Sequence, residues 1–269
     1  MAQKWLILRR ITQLSIFLLF IAGNLLGWTV LRGDLSAGKL LDTVPLTDPF
    51  AILQILAAGS LLSLDALAGG LIVLLFYSLL AGRAFCGWVC PMNMVTDGAN
   101  RLRRSLGWKT DGWRVSSRTR YWIMAMALVL SPILGVAAFE WISPVSILHR
   151  GLIYGMGMGW TAVAAVFLFD LMAVRNGFCG HLCPLGGFWS LIGRFSLIRV
   201  RHNREQCSLC MDCVNICPER QVLGMVGKES GPLLSGECLN CGRCIDVCET
   251  KAMKWGTRFG KDQQSAVSP

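Results

Sequence analysis

Cys207-Ser-Leu-Cys210-Met-Asp-Cys213-Val-Asn-Ile-Cys217-Pro218 is the stretch on which the reading turns, and Cys238-Leu-Asn-Cys241-Gly-Arg-Cys244-Ile-Asp-Val-Cys248 repeats its spacing. Both runs read C-x2-C-x2-C-x3-C. In that pattern three closely spaced thiolates grip one cubane cluster and the fourth reaches across to another. The spacing assigns Cys207, Cys210, Cys213 and Cys248 to a first [4Fe–4S] cluster, and Cys238, Cys241, Cys244 and Cys217 to a second. A zinc ribbon needs paired C-x2-C knuckles and would leave thiols over. A disulfide framework belongs to small secreted scaffolds, whereas runs this compact are ligand sets. Pro218 follows Cys217 as the pattern expects. Glu249 stands at the matching place after Cys248, which alters a turn but removes no ligand.

Outside these runs the chain reads as a membrane protein. Of its 269 residues 54% are apolar and only 16% charged, a balance that points away from an ordinary soluble domain. A helical span needs about 20 apolar residues, and the stretches 11–31, 61–81, 121–142 and 152–174 qualify, the third with a kink expected at Pro132. Lys4, Arg9 and Arg10 precede the first stretch, which is too long for a signal-peptide core and is read as a retained span. The net charge of +10 is a topology signal. Arg83, Arg101, Arg103, Arg104, Lys109, Arg114, Arg118 and Arg120 lie between the second and third spans, and Arg175, Arg194, Arg199, Arg201 and Arg204 follow the fourth. The opposite loops hold only Arg32, Lys39 and Arg150. The positive-inside rule then puts both termini in the cytoplasm. A nucleic-acid partner is set aside, because no basic and aromatic sheet pattern accompanies the charge.

The remaining four cysteines disclose a duplication. Phe85-Cys86-Gly-Trp-Val-Cys90-Pro91 and Phe178-Cys179-Gly-His-Leu-Cys183-Pro184 share the form F-C-G-x-x-C-P. Asp48-Pro49-Phe-Ala-Ile-Leu-Gln54 and Ser143-Pro144-Val-Ser-Ile-Leu-His149 precede the even-numbered spans. Asp48 and Ser143 are good N-caps, followed by proline at the first helical position. Pro144 to Val174 is about 31 residues, too long for one straight span, so a short helix is expected before each even-numbered span. Two parallel repeats imply a pseudo-two-fold axis along the membrane normal. Cys86, Cys90, Cys179 and Cys183 could then meet at that axis as an additional metal or iron–sulfur site; the plainer alternative is four reduced thiols beside tight turns. Gly151, Gly155 and Gly159 read as a helix-packing face.

The expected fold class is therefore membrane all-α, with four transmembrane helices in two parallel repeats and a small C-terminal α+β two-cluster ferredoxin-like domain. The expected domains are a first repeat over 1–110, a second over 111–200, the two-cluster domain over 201–255 and a polar tail over 256–269. Spans joined to clusters point to a lipid-soluble electron donor, quinol. With only His149, His181 and His202 present, a bis-histidine haem is disfavoured. Ionisable groups at membrane depth are candidate proton acceptors: Asp48, Asp65, Glu140, His149 and Asp170. Glu140 and His149 rank first, because they fall in the short-helix region.

These features together resemble the NapH family, the membrane quinol dehydrogenase subunits of periplasmic nitrate reductase systems, over essentially the whole chain. The resemblance rests on Leu41-Asp-Thr-Val-Pro-Leu-Thr-Asp48-Pro49, on both F-C-G-x-x-C-P motifs and on the two cluster runs. It implies a multi-pass protein of the bacterial cytoplasmic (inner) membrane in contact with lipid and the quinone pool. Electrons would pass from quinol to a periplasmic iron–sulfur partner of the NapG type, and through it to the cytochrome and molybdenum subunits of nitrate reductase. The motif pair and eight ferredoxin cysteines also occur in regulators of nitrous oxide reduction and in a copper-reducing assembly factor. A membrane metal reductase or assembly factor is therefore the alternative. One tension follows: charge places the clusters inside, whereas the implied acceptor lies outside.

Overall fold

The computed structural model describes residues 3–108, 113, 115–155 and 157–260. Lys109, Asp111 and Arg114 of the basic loop, the boundary expected at 110/111 and the tail beyond 260 lie outside the described residues.

Helix α1 (Lys4–Leu25) starts earlier and stops earlier than the span expected over 11–31. The chain turns at Gly27 (φ 74°) and enters an antiparallel sheet of β1 (Leu31–Gly33), β2 (Ala37–Leu40) and β3 (Val44–Thr47), in that order. This sheet corrects the all-α expectation for the membrane part. Its strands are three or four residues long, too short to show a period of two. Asp34 fixes the first hairpin by accepting the Ser36 and Ala37 N–H groups, each at 2.9 Å. Leu41 and Asp42, both at positive φ, make the second turn.

Helix α2 (Pro49–Ala57) is capped by Asp48, which accepts the Phe50 N–H at 2.9 Å, and α3 (Leu64–Leu79) follows. Gly69 and Gly70 let β3 and α2 press onto the middle of α3. A Cβ at Gly69 would fall 2.9 Å from the Pro45 carbonyl carbon, and one at Gly70 would fall 2.2 Å from Ile52 Cδ1. A π turn at Phe85–Val89 leads into α4 (Met92–Ser105).

The second half repeats the plan. Helix α5 (Thr119–Leu134) runs through Pro132 and ends at Gly135 (φ 67°), and α6 (Ala138–Ile142) follows. Pro132, where a kink is expected, stays inside α5; the helix ends three residues later, where glycine takes the left-handed cap and Ser131 accepts the Ala138 N–H. Ser143 caps α7 (Pro144–Tyr154), Gly155 (φ 103°) breaks the chain, and α8 (Trp160–Met172) completes the pair. The glycines at 151, 155 and 159 therefore straddle a break and do not form one continuous helix face. A second π turn, Phe178–Leu182, precedes α9 (Pro184–Ile192). A short helix stands before α3 and before α8, as the length argument requires.

The C-terminal segment comprises β4 (Ile198–His202), α10 (Asp212–Ile216), β5 (Gly231–Pro232), α11 (Arg243–Val247) and β6 (Met253–Thr257). Its sheet has the antiparallel order β5-β4-β6. Two cores result. Phe50, Met92, Phe188 and Trp189 centre the first together with Cys90 and Cys183. Val200, Leu233 and Met253 centre the second together with Cys213 and Cys244. Helix α1 is long and apolar enough to cross a membrane; Leu64–Leu79, Thr119–Leu134 and Gly157–Met172 are shorter apolar helices.

Candidate functional site

The two C-terminal cysteine runs adopt the same backbone. Leu209 and Asn240, just before the second cysteine of each run, have φ of 62° and 48°; Met211 and Gly242, just after it, have φ of 61° and 72°. Left-handed conformations at non-glycine residues cost about 1–3 kcal/mol each and persist where a ligand clamp requires them. They curl each run so that its thiols face inward. Cys207, Cys210, Cys213 and Cys248 line one cavity, and the Cys213 thiol faces the other three. Cys217 faces Cys241 and Cys238. Cys244 faces Cys241, Cys238 and Cys217, and also Cys213 of the other set, so the two sets adjoin.

Burial and facing thiols push Cys213, Cys217 and Cys244 above the ordinary thiol range, and burial raises Cys238 to about 11. Four thiolates gathered in such a place need multivalent cationic charge to hold them, because metal ligation is what deprotonates a coordinating thiol. The donor sets therefore fit iron–sulfur clusters. Among the described residues no three His, Cys, Asp or Glu side chains form a group that could hold a metal ion; a cluster of several irons spreads its ligands wider than one ion does.

The four repeated thiols also converge. Each π turn is closed by an N–H from its second cysteine, Cys90 to the Phe85 carbonyl at 2.9 Å and Cys183 to the Phe178 carbonyl at 2.8 Å. The turns place Cys86 and Cys179 on π-helical backbone, a conformation frequent at functional sites, and Cys90 and Cys183 on extended backbone just past it. Cys90 then receives backbone N–H groups from Met92 and Asn93, and Cys183 from Leu185 and Gly186. Cys90 faces Cys86 and Cys183, and Cys179 faces Cys183 and Cys90. Burial raises all four, Cys183 to about 12, while Arg83 works against the rise at Cys86.

Buried arginines lock this centre to the C-terminal segment, a feature the sequence reading counted only as loop charge. Arg9 Nε donates to the Gly87 carbonyl at 2.8 Å, and Arg120 Nη1 to the Gly180 carbonyl at 3.0 Å. One arginine thus serves the same position of each F-C-G-x-x-C-P turn. Arg83 donates to the Cys179 carbonyl at 2.8 Å and the Glu237 carbonyl at 3.1 Å, and pairs with Glu219. Glu219 also accepts from Arg120 at 2.9 Å. The Trp88 indole donates to the Asn240 carbonyl at 2.8 Å. A Cβ at Gly87 would lie 3.0 Å from the Leu239 carbonyl oxygen, so the first turn abuts the second cluster run through bare backbone. Arg9 and Arg120 stand 78 and 60 residues before the glycines they meet, so no fixed spacing in the sequence announces the pairing.

The proton-acceptor candidates scatter. Glu140 accepts from Ser36, from Ser146 at 2.8 Å and from Arg150 at 3.3 Å. His149 is buried between Phe17 and Phe20, with ring centroids 5.2 and 4.7 Å away and neither ring nitrogen hydrogen-bonded. Asp65 is exposed in the first turn of α3. Asp170 accepts the Phe178 N–H at 2.8 Å and so holds the second π turn. Asp48 lines an apolar cavity with Tyr77, Phe85, Val89 and Trp189.

A family profile described as a 4Fe-4S binding domain matches residues 64–109 and again 152–202, and a 4Fe-4S dicluster profile matches 199–249. Fold, thiol sets and profiles together define an iron–sulfur protein of the electron-transfer class. Among curated relatives, the ferredoxin-type protein NapH of Haemophilus influenzae is 44% identical over 96% of this chain and 91% of its own length. The methylamine utilization ferredoxin-type protein MauN of Methylorubrum extorquens is 45% identical over 96% and 90%, and the NapH of Escherichia coli 40% over 98% and 93%. The chain belongs to the NapH/MauN family of ferredoxin-type proteins. No solved structure matches it.

Proposed function

We propose that this chain is a membrane quinol dehydrogenase subunit that passes electrons from quinol through its cysteine-held [4Fe–4S] centres to an iron–sulfur partner. In this reading Cys207, Cys210, Cys213 and Cys248 hold one cluster, and Cys238, Cys241, Cys244 and Cys217 hold another. Cys86, Cys90, Cys179 and Cys183 hold a further redox centre between the two repeats. The clusters supply one-electron redox steps. The chain's own residues orient the thiols through the left-handed turns, exclude water from them and hold the two-cluster segment against the repeated turns. That docking is the observation that carries the reading: Trp88, Gly87 and Arg83 join the two thiol regions through direct contacts, which suits short electron steps.

Four spans are part of the proposal. Large apolar side chains stand outward on α1 (Ile11, Leu18), α3 (Leu71, Leu75), α5 (Trp122, Val129) and α8 (Leu168, Met172). Contiguous outward apolar surface of this extent marks a lipid contact. The short-helix hairpins fill depth that α3 and α8 alone do not cross. Both termini, the two-cluster domain at 201–255 and the tail at 256–269 then lie in the cytoplasm, with the repeats at 1–110 and 111–200 in the membrane.

The resemblance to NapH directs the electrons to a NapG-type partner and periplasmic nitrate reduction. The equal likeness to MauN favours a second destination, an oxidative methylamine system, with the same chemistry in the membrane. Membranes holding this chain should reduce a NapG-type protein upon addition of a short-chain quinol. Equal reduction from membranes lacking the chain would refute the assignment; no reduction of the NapG-type protein, with reduction of a methylamine-system partner, would move it to the second destination.

A further inference from the structure

A cavity of about 410 Å3 lies between the first sheet, α1 and α3, and no thiol set uses it. Its size suits a small organic ligand. Its walls are mostly apolar, and Asp34, Thr47, Asp48 and Tyr77 are among the side chains that bring polar atoms. At its inner wall stand Phe85, Val89 and Trp189; Phe85 and Trp189 stack with centroids 5.7 Å apart. Phe85 and Val89 are the immediate chain neighbours of Cys86 and Cys90. The cavity thus joins an aspartate to the edge of the repeated-thiol centre.

Asp48 caps α2, and the equivalent Ser143 caps α7 with a neutral hydroxyl; the first repeat thus has an ionisable group where the second has none. A carboxylate against apolar walls is costly, and functional sites are where such groups are kept. The charged groups around Asp48 are Asp34 on the same cavity wall, Glu140 on α6, and Arg150 on α7, which pairs with both of those. Helix α1 presents Ile16 and Phe20, and α3 presents Val73 and Tyr77.

We propose that this cavity receives the headgroup of a quinol and that the Asp48 carboxylate takes the proton from its hydroxyl as the electrons leave, an assignment resting on the quinol reading above. Each turnover breaks two quinol O–H bonds and yields quinone, two electrons and two protons. The iron–sulfur centres are the oxidant. Asp48 accepts one proton, releases it to water on the sheet side, and then accepts the second. The Phe50 N–H at 2.9 Å holds the Asp48 carboxylate at the cavity wall, where it can serve as the base for proton abstraction.

The test uses the purified full chain with its clusters. Binding of short-chain ubiquinone and menaquinone is read by tryptophan fluorescence quenching, and reduction by the matching quinols by cluster absorbance. Asp48→Asn keeps a good cap and should bind quinone within about threefold of wild type. Its reduction rate should fall at least about 100-fold, the usual size of a general-base contribution, and lose the rise with pH that the wild type shows. Ile72→Trp, at a partly exposed wall position, should weaken quinone binding at least tenfold. A reduced wild type with an equally fast Asp48→Asn overturns the role of Asp48. Unchanged binding in Ile72→Trp overturns the cavity. A wild type that neither quinol reduces overturns the quinol reading itself, and the proton role with it.

Discussion

Replacing Glu219 by glutamine should undock the two-cluster segment from the repeated turns. Its side chain is 3% exposed and pairs with Arg83 and Arg120, which are 1% and 0% exposed. Burial is the largest single influence on Arg83 and lowers it, but Glu219, with Cys86 and Cys179, raises it beyond the ordinary arginine range. The Arg83 guanidinium therefore stays charged. Glutamine keeps one acceptor oxygen but turns an N–H2 toward a guanidinium. Removing one partner of a buried pair costs about 3–5 kcal/mol. Arg83 retains the Glu237 and Cys179 carbonyls and Arg120 retains the Gly180 carbonyl, which argues for the lower end, about 3 kcal/mol. That is a factor of about 150 in the docking equilibrium. Trypsin cleavage after Arg199, buried on β4, reports the undocked population and should accelerate by that factor. Arg83→Met added to Glu219→Gln should restore part of the protection, because it removes a stranded charge. Equal cleavage of wild type and Glu219→Gln, or a double variant worse than the single, would refute the reasoning.

Asp97 joins Arg9, Arg10 and Arg243. Burial alone would raise its carboxyl, but the three guanidiniums hold it below the ordinary value. A depressed carboxylate stabilises the fold above its unfolded value and loses that stabilisation as pH falls through the folded one. Asp97→Asn should therefore lower stability by about 3 kcal/mol, with a thermal gap to wild type that is constant from about pH 8 to 5 and narrows only below about pH 4; a gap closing near neutrality would contradict the assignment. Cys213→Ser and Cys244→Ser should each lose about four irons with their labile sulfide while leaving the other set loaded, and full iron content in either would break the ligand assignment. Gly242→Ala places a Cβ 2.6 Å from the Trp5 ring at φ 72°, so it should cost about 1–3 kcal/mol; a melting temperature equal to wild type would deny that α1 packs on the second run.

Much of the site is legible because thiol chemistry is local in sequence. The C-x2-C-x2-C-x3-C runs and the F-C-G-x-x-C-P turns carry their spacing on a few adjacent residues, and the structure gathers each set. Helix ends were legible only where a cap or a glycine announced them: Asp48 and Ser143 did, whereas Gly135 was overshadowed by Pro132. The sheet at 31–47 was not legible, since three-residue strands carry no periodicity and its turns use Leu41 and Asp42 at positive φ. Arg9, Arg83 and Arg120 read as topology charges, because single charges look alike until the carbonyls they meet, Gly87, Cys179 and Gly180, are brought beside them. Position along the chain puts Glu140 and His149 in the short-helix region, but only packing distinguishes a carboxylate satisfied by three donors or a histidine sealed behind Phe20 from an aspartate facing a cavity.

Quinol electrons should enter thiol-held clusters in this chain, and electron paramagnetic resonance of the anaerobic purified protein after addition of a short-chain quinol reads that step. Reduced [4Fe–4S] signals should appear with quinol in wild type and diminish selectively in Cys213→Ser and Cys244→Ser. Clusters that dithionite reduces but quinol does not, in the intact chain reconstituted in lipid, would contradict it.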